Sequence, residues 1–273
     1  MPGVTEAPLS PDPGLHLAGR YDRVVSAGLA RVWENVLDWE HLPALHKGQF
    51  HCITLLDSGP WGWRARVVNQ PGDESRAQTI VVRIDRTAGR YCSATVEGPG
   101  AGTEIWTTLT PAGADRTAVA VCFHVAESRP ERLARIGERY VEIYARLWDE
   151  DEAMMVERGR ALAARWSVSR DGVAALNLGP VESVRASLPR LVEFGGERFR
   201  LLELDGRLIA HAATCPHWLG PLGETPVVDG CIRCPWHDYA FDVVTGASTD
   251  GRGLTLAPAP RVLVEQGDVV VCR

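Results

Sequence analysis

The chain has 273 residues, a formal net charge of −6 and a hydrophobic fraction of 45%. That length suits two domains, and the composition is ordinary for globular proteins. The acidic balance argues against a nucleic-acid surface. No stretch is long and apolar enough to span a bilayer, and the Pro- and Gly-rich opening MPGVTEAPLSPDPGLHLAGR lacks the charged-then-apolar order of a secretory signal. A cytoplasmic location is expected, with no nucleic-acid or membrane partner. Of the seven cysteines, Cys52, Cys92, Cys122, Cys231 and Cys272 are scattered in apolar contexts and read as buried small hydrophobes, not as disulfides.

Residues 1–17 read as a loosely attached arm. RYDRVVSA then alternates as a strand, and LARVWENVLDWE places Leu29, Val32, Trp33, Val36 and Leu37 at helical spacing. Pro43 is expected to end or break this helix, because it removes a donor and pushes Leu42 out of the α region. Six strand-like runs follow: QFHCITLLD, WGWRARVVN, AQTIVVRID, RYCSATVE, GTEIWTTLT and RTAVAVCFHV. From Pro130 to Trp166 the pattern is helical throughout. SVSRDGVAALNLGPVE reads as a linker, placed at 167–175, and the entry to a second domain over 176–273. There, Gly195-Gly196, Asp205-Gly206, Asp229-Gly230 and Thr245-Gly246 are hairpin signals at short intervals. GPGAGT at Gly98 sits between two strands with no helix to follow, so it is a hairpin and not a nucleotide loop.

Strand, helix, helical turn, six strands and a long final helix is the order of a helix-grip domain, and VWENVLDWEHLPALH resembles the opening of START-like polyketide-cyclase and lipid-transfer domains. The resemblance implies an α+β fold: a helix-grip domain over 18–166 that encloses an apolar cavity, followed by a small all-β domain. Cavities of that kind hold small ligands.

The most specific stretch is CPHWLGPLGETPVVDGCIRCPWH, which offers Cys215 with His217 and Cys234 with His237. Zinc accepts two Cys and two His, but zinc knuckles normally pair like with like, whereas each knuckle here is mixed. Mixed knuckles allow two Cys to hold one iron and two His another. The segment resembles a Rieske domain of the ferredoxin and oxygenase type. It lacks the extra cysteine pair of respiratory Rieske proteins, since Pro221 stands where the first would come. Asp238 replaces the usual Gly after the second His, and Asp tolerates a left-handed turn better than most residues. The resemblance implies a [2Fe–2S] cluster held by Cys215, His217, Cys234 and His237, with Cys231 outside it.

In the first domain, ENVLDWEHLPALHKGQF sets His41 and His46 on either side of Pro43. A continuous helix would turn side chains at that spacing about 140° apart; a break at Pro43 would let both imidazoles face one point. Without a metal, they read as helix-end and cavity-wall residues. With a Rieske segment in the same chain, the run Asn35, Asp38, His41, His46 resembles the mononuclear-iron motif of Rieske non-haem iron oxygenases. That resemblance implies Fe(II) held by His41, His46 and a carboxylate from the last helix, with Asp38 linking the two centres. Asp149 and Asp151 are the carboxylate candidates. The apolar rhythm Tyr140, Tyr144, Leu147, Met154 favours Asp151 as the inward one. The domain order is reversed relative to the family, whose members are commonly trimers, so a homo-oligomer is expected. With no dinucleotide or flavin signature in the chain, electrons are expected from a separate NAD(P)H-dependent reductase or ferredoxin. The expected function is oxidation of a small, largely apolar molecule with O₂, by hydroxylation or demethylation. The alternative is a START-like ligand-binding module fused to a Rieske electron carrier or redox sensor, without mononuclear iron.

Overall fold

The computed structural model describes residues 10–167 and 174–273. The beginning of the expected arm and most of the expected linker lie outside the described residues. The chain divides into two compact units, Met1–Val156 and Glu157–Arg273.

The first unit runs β1 (His16–Val25), α1 (Leu29–Leu37), α2 (His41–Leu45), β2 (Phe50–Gly59), β3 (Gly62–Asn69), β4 (Gln78–Asp85), β5 (Arg90–Glu97), β6 (Glu104–Gly113) and β7 (Arg116–Val125), then α3 (Pro130–Ser167) as far as Val156, its remainder from Glu157 belonging to the second unit. Its strands form one sheet in the order β1-β7-β6-β5-β4-β3-β2, antiparallel throughout. This is the helix-grip arrangement. Alternate burial along β7 shows why these runs become strands: every second side chain faces one side. Val119, Val121 and Phe123 of β7 join Ala65, Val67, Val82 and Leu109 from the sheet, Val32, Trp33 and Val36 from α1, and Trp148 and Met155 from α3 in one core. Tyr140 stacks on Phe123 at 5.1 Å, and Tyr144 meets the same ring edge-on at 5.0 Å. Aromatic contacts of this sort add about 0.5–1.5 kcal/mol each beyond area burial.

Two local expectations need correction. β1 begins at His16, inside the expected arm, because His16 and Leu17 pair with Val125 and His124 before a bulge leads on to Gly19. The backbone of β7 is long enough to template them, which their side chains do not announce. The helix break lies at Asp38, which is extended (φ −85°, ψ 92°), and not at Pro43. Pro43 sits in the first turn of α2, where a missing N–H leaves no intrahelical bond unmade.

The second unit contains β8 (Ala175–Pro180), α4 (Val181–Ala186), β9 (Arg190–Phe194), β10 (Glu197–Leu204), β11 (Arg207–Ala212), β12 (Val227–Val228), β13 (Cys231–Arg233), β14 (Ala240–Asp242), β15 (Arg261–Glu265) and β16 (Asp268–Cys272). They make three small sheets, ordered β11-β10-β9, β12-β13-β14 and β15-β16-β8. Hairpins turn at Gly195-Gly196, Asp205-Gly206, Asp229-Gly230 and Gln266-Gly267, each pair with positive φ at both residues, as the turn matching strand twist requires. The last of these carried no expectation. Nor did α4 or β8, although Ala175 at the end of the expected linker pairs with Cys272.

Candidate metal centres

Two loops of the second unit are built on one plan. After Cys215 the chain turns until the Leu219 amide donates to the Cys215 carbonyl (3.1 Å), and the Cys215 amide donates to Gly220 (2.8 Å). After Cys234, the Asp238 amide donates to the Cys234 carbonyl (2.9 Å), and the Cys234 amide donates to Tyr239 (2.8 Å). Leu219 and Asp238 occupy the same left-handed position, with φ of 65° and 57°. Asp suits it; for Leu it is a strain that burial of the side chain holds in place.

This plan brings like ligands together. Cys215 and Cys234 are fully buried and hydrogen-bonded to each other. That bond pushes the Cys215 thiol up and pulls the Cys234 thiol down, so one sulfur is poised as a thiolate. The amides of His217 and Trp218 point at the first sulfur, and those of Trp236 and His237 at the second. The imidazoles of His217 and His237 meet edge to face, 4.6 Å between ring centres. A thiol pair beside an imidazole pair fits the two-iron group better than one tetrahedral ion. Gly220 is required here, because a Cβ would lie 2.6 Å from the Cys234 sulfur. Cys231 lies on β13, opposite Asp242.

Surrounding contacts carried no sequence signal. Tyr239 stacks on His217 at 4.3 Å, and the Arg252 guanidinium lies 3.7 Å from the centre of the Tyr239 ring. Arg158 covers Trp218 at 4.3 Å and donates to its carbonyl at 2.9 Å. Both arginines thus cover rings that themselves lie against the imidazoles, Tyr239 against His217 and Trp218 against His237.

The second constellation lies in the first unit. His41 opens α2, His46 caps its end, and Asp151 comes from α3; all three are buried. Asp151 Oδ1 lies 3.3 Å from His41 Nε2 and 3.2 Å from His46 Nε2, and it accepts from Asn35 Nδ2 at 2.9 Å. Among the described residues this is the one group of three or more His, Cys, Asp or Glu whose ligand atoms all lie within 4.8 Å of one another. Behind the rings, Asp38 Oδ2 stands 3.3 Å from His41 Nδ1, and Glu150 Oε2 stands 2.6 Å from His46 Nδ1. Asp149 faces elsewhere: 70% exposed, it pairs with Arg23 at 2.7 Å.

Without metal the group is an ion pair. Burial by itself would lower the His41 pKa, but hydrogen bonds and charge from Asp151 and then Asp38 outweigh it and raise the group to about 10. Burial likewise opposes ionisation of Asp151, yet His41 and His46 hold it well below the usual carboxylate range. A buried carboxylate needs such partners. The two imidazole nitrogens and the carboxylate oxygen are donors suited to Fe(II), so the residues fit that ion once His41 gives up its proton. They line a cavity of about 120 Å³ with Phe50, Trp63, Ile80, Tyr91 and Tyr144.

Comparison with known proteins bears on the two units separately. Human apoptosis-inducing factor 3 is 34% identical over 82 residues, 30% of this chain, and the matched stretch spans 14% of that protein's length. The ZhuI aromatase/cyclase from Streptomyces sp. R1128 aligns with a TM-score of 0.45 and 16% identity, over 54% of this chain and 98% of its own. The ferredoxin of carbazole 1,9a-dioxygenase from Nocardioides aromaticivorans IC177 aligns with a TM-score of 0.32 and 21% identity, over 36% of this chain and 97% of its own. No helix among the described residues is long and apolar enough to cross a membrane. Residues 175–259 match the family described as Rieske [2Fe-2S] domain, so the chain carries a redox domain of that type.

Proposed function

We propose that this chain is a Rieske-type non-haem iron oxygenase. Its catalytic domain spans 18–166 and its Rieske domain 176–273. Cys215, His217, Cys234 and His237 would hold the cluster, for which a separate reductase or ferredoxin would be the electron source, and His41, His46 and Asp151 would hold Fe(II). The observation that carries the reading is the convergence of two imidazole nitrogens and one carboxylate oxygen, all buried, on a small cavity in a chain with a Rieske domain. Bound by such a set, Fe(II) would supply the oxidising chemistry with dioxygen that side chains lack.

The chain's own residues do the rest. Asn35 donates to Asp151 and orients its carboxylate toward the imidazoles. Asp38 backs His41 at Nδ1 and leaves Nε2 for the metal; the electron-relay role expected of it belongs to this proposal. Phe50, Trp63, Ile80 and Val82 keep the cavity apolar. Burial raises the pKa of both Tyr91 and Tyr144, so their phenols stay protonated as hydrogen-bond donors for a substrate oxygen. A volume of about 120 Å³ approaches the roughly 150 Å³ that admits benzene, so the enclosed part of the substrate is small and uncharged.

Iron counting on the purified protein tests the reading. The oxygenase holds about three irons per chain and a cluster-only protein about two. His41→Ala and His46→Ala should each lose one iron and O₂-dependent turnover while keeping the cluster's visible absorption. The rival reading, a ligand-binding module fused to a Rieske electron carrier, is favoured by the direct contacts of Asp151 Oδ1 with His41 Nε2 and His46 Nε2, which partner all three buried groups among themselves; two irons, unchanged in these variants, would establish it.

A further inference from the structure

We infer that Glu150 is a positioning residue for the His41, His46 and Asp151 site: its carboxylate fixes the His46 ring with Nε2 toward the metal and strengthens that nitrogen as a ligand. The inference rests on the Fe(II) reading above. Consecutive residues of α3 grip the ring at both nitrogens, Glu150 at Nδ1 (2.6 Å) and Asp151 at Nε2 (3.2 Å). Side chains of neighbouring helical residues diverge by about 100°, which suits one carboxylate on each edge of an imidazole.

The ring has little other freedom. Its side chain is 1% exposed, and the His41 and Phe50 rings lie 5.2 and 6.1 Å away. As a metal ligand an imidazole is neutral and carries one proton, so donating Nδ1–H to Glu150 would leave the lone pair on Nε2. That is the nitrogen facing Asp151. Glu150 is itself 45% exposed, so this buried ligand is steered by a carboxylate half in water, whereas Asp38 behind His41 is 6% exposed. Carboxylates behind ligating imidazoles typically change metal affinity 10–100-fold.

The test uses full-length protein with its cluster assembled, dialysed to equilibrium against cobalt(II), with metal content measured for wild type, Glu150→Gln, Glu150→Ala and Asp149→Asn. Wild type should bind one cobalt beyond its cluster iron. Glu150→Ala should bind it about 10–100-fold more weakly, Glu150→Gln should fall between, and Asp149→Asn should match wild type. Nitrogen-15 NMR of the zinc-loaded protein should show His46 protonated at Nδ1 in wild type and Glu150→Gln, with that proton exchanging rapidly in Glu150→Ala. Glu150 variants that bind cobalt like wild type with the ring tautomer unchanged overturn the inference, even if their melting temperature falls. Wild-type protein that takes up no cobalt overturns the Fe(II) reading and this inference with it.

Discussion

Four consecutive acidic residues on α3 have four different fates. Asp149 pairs with Arg23 in water, Glu150 reaches His46, Asp151 lies buried between two imidazoles, and Glu152 accepts from Arg23 and from the Ser26 amide. Asp151→Ala should therefore abolish mononuclear metal binding, while Asp149→Ala should keep it; metal analysis after dialysis separates the two. The His41 proton gives a further test with a definite sign. Its folded pKa, about 10 against a reference of 6.5, is raised. The metal-free pair thus contributes stability that is full below the lower value and fades as pH rises through the higher one. Metal must displace that proton, so apparent affinity should rise up to about tenfold per pH unit between the two values. Proton release measured by titration calorimetry in buffers of different ionisation enthalpy checks it, and metal uptake without proton release would exclude the charged pair.

At the scale of elements, close approach decides which substitutions are tolerated. A Cβ on Gly137 of α3 would lie 2.0 Å from the Ala18 carbonyl at the β1 bulge. Gly137→Ala gains about 1 kcal/mol of helix propensity, yet an overlap with backbone of this size cannot be relieved by a side-chain rotation. Overpacking costs about 1–3 kcal/mol or more, so net destabilisation is expected, read as a lower urea midpoint. At the cluster loops, Gly220→Ala should diminish visible absorption, because the added methyl meets the Cys234 sulfur. Exchanging Asp238 for Gly should leave the spectrum intact, since the left-handed turn suits Gly better still.

At the scale of the whole molecule, the two candidate centres draw their ligands from different units. Their losses should be separable. His237→Ala should remove the cluster's visible absorption and about two irons per chain while cobalt binding at the other centre persists; Cys231→Ser should change neither. His41→Ala should do the converse. A variant in which both centres vanish together would show that folding of one unit depends on metal in the other.

Much of this was legible in the sequence because it is local. The Cys-x-His and Cys-x-x-His knuckles, the Asp-Gly hairpins and the alternation of the six meander strands are each written within a few residues, since turn geometry and strand period act over that range. The inward position of Asp151 was reachable because helical periodicity carries phase along α3. The buried stripe runs through Trp148 and Met155, with Leu147 half-buried beside it, and still delivers Asp151 inward. Only the tertiary structure decided the rest. The pairing of β8 with β16, the start of β1 on the end of β7, and the placing of Glu150 behind His46 join residues far apart in the chain. Backbone pairing carries no side-chain signature, and an acidic residue on a helix looks the same in sequence whether it meets water or an imidazole. Its partner is chosen by the packing of α3 against the end of α2, which depends on the whole sheet.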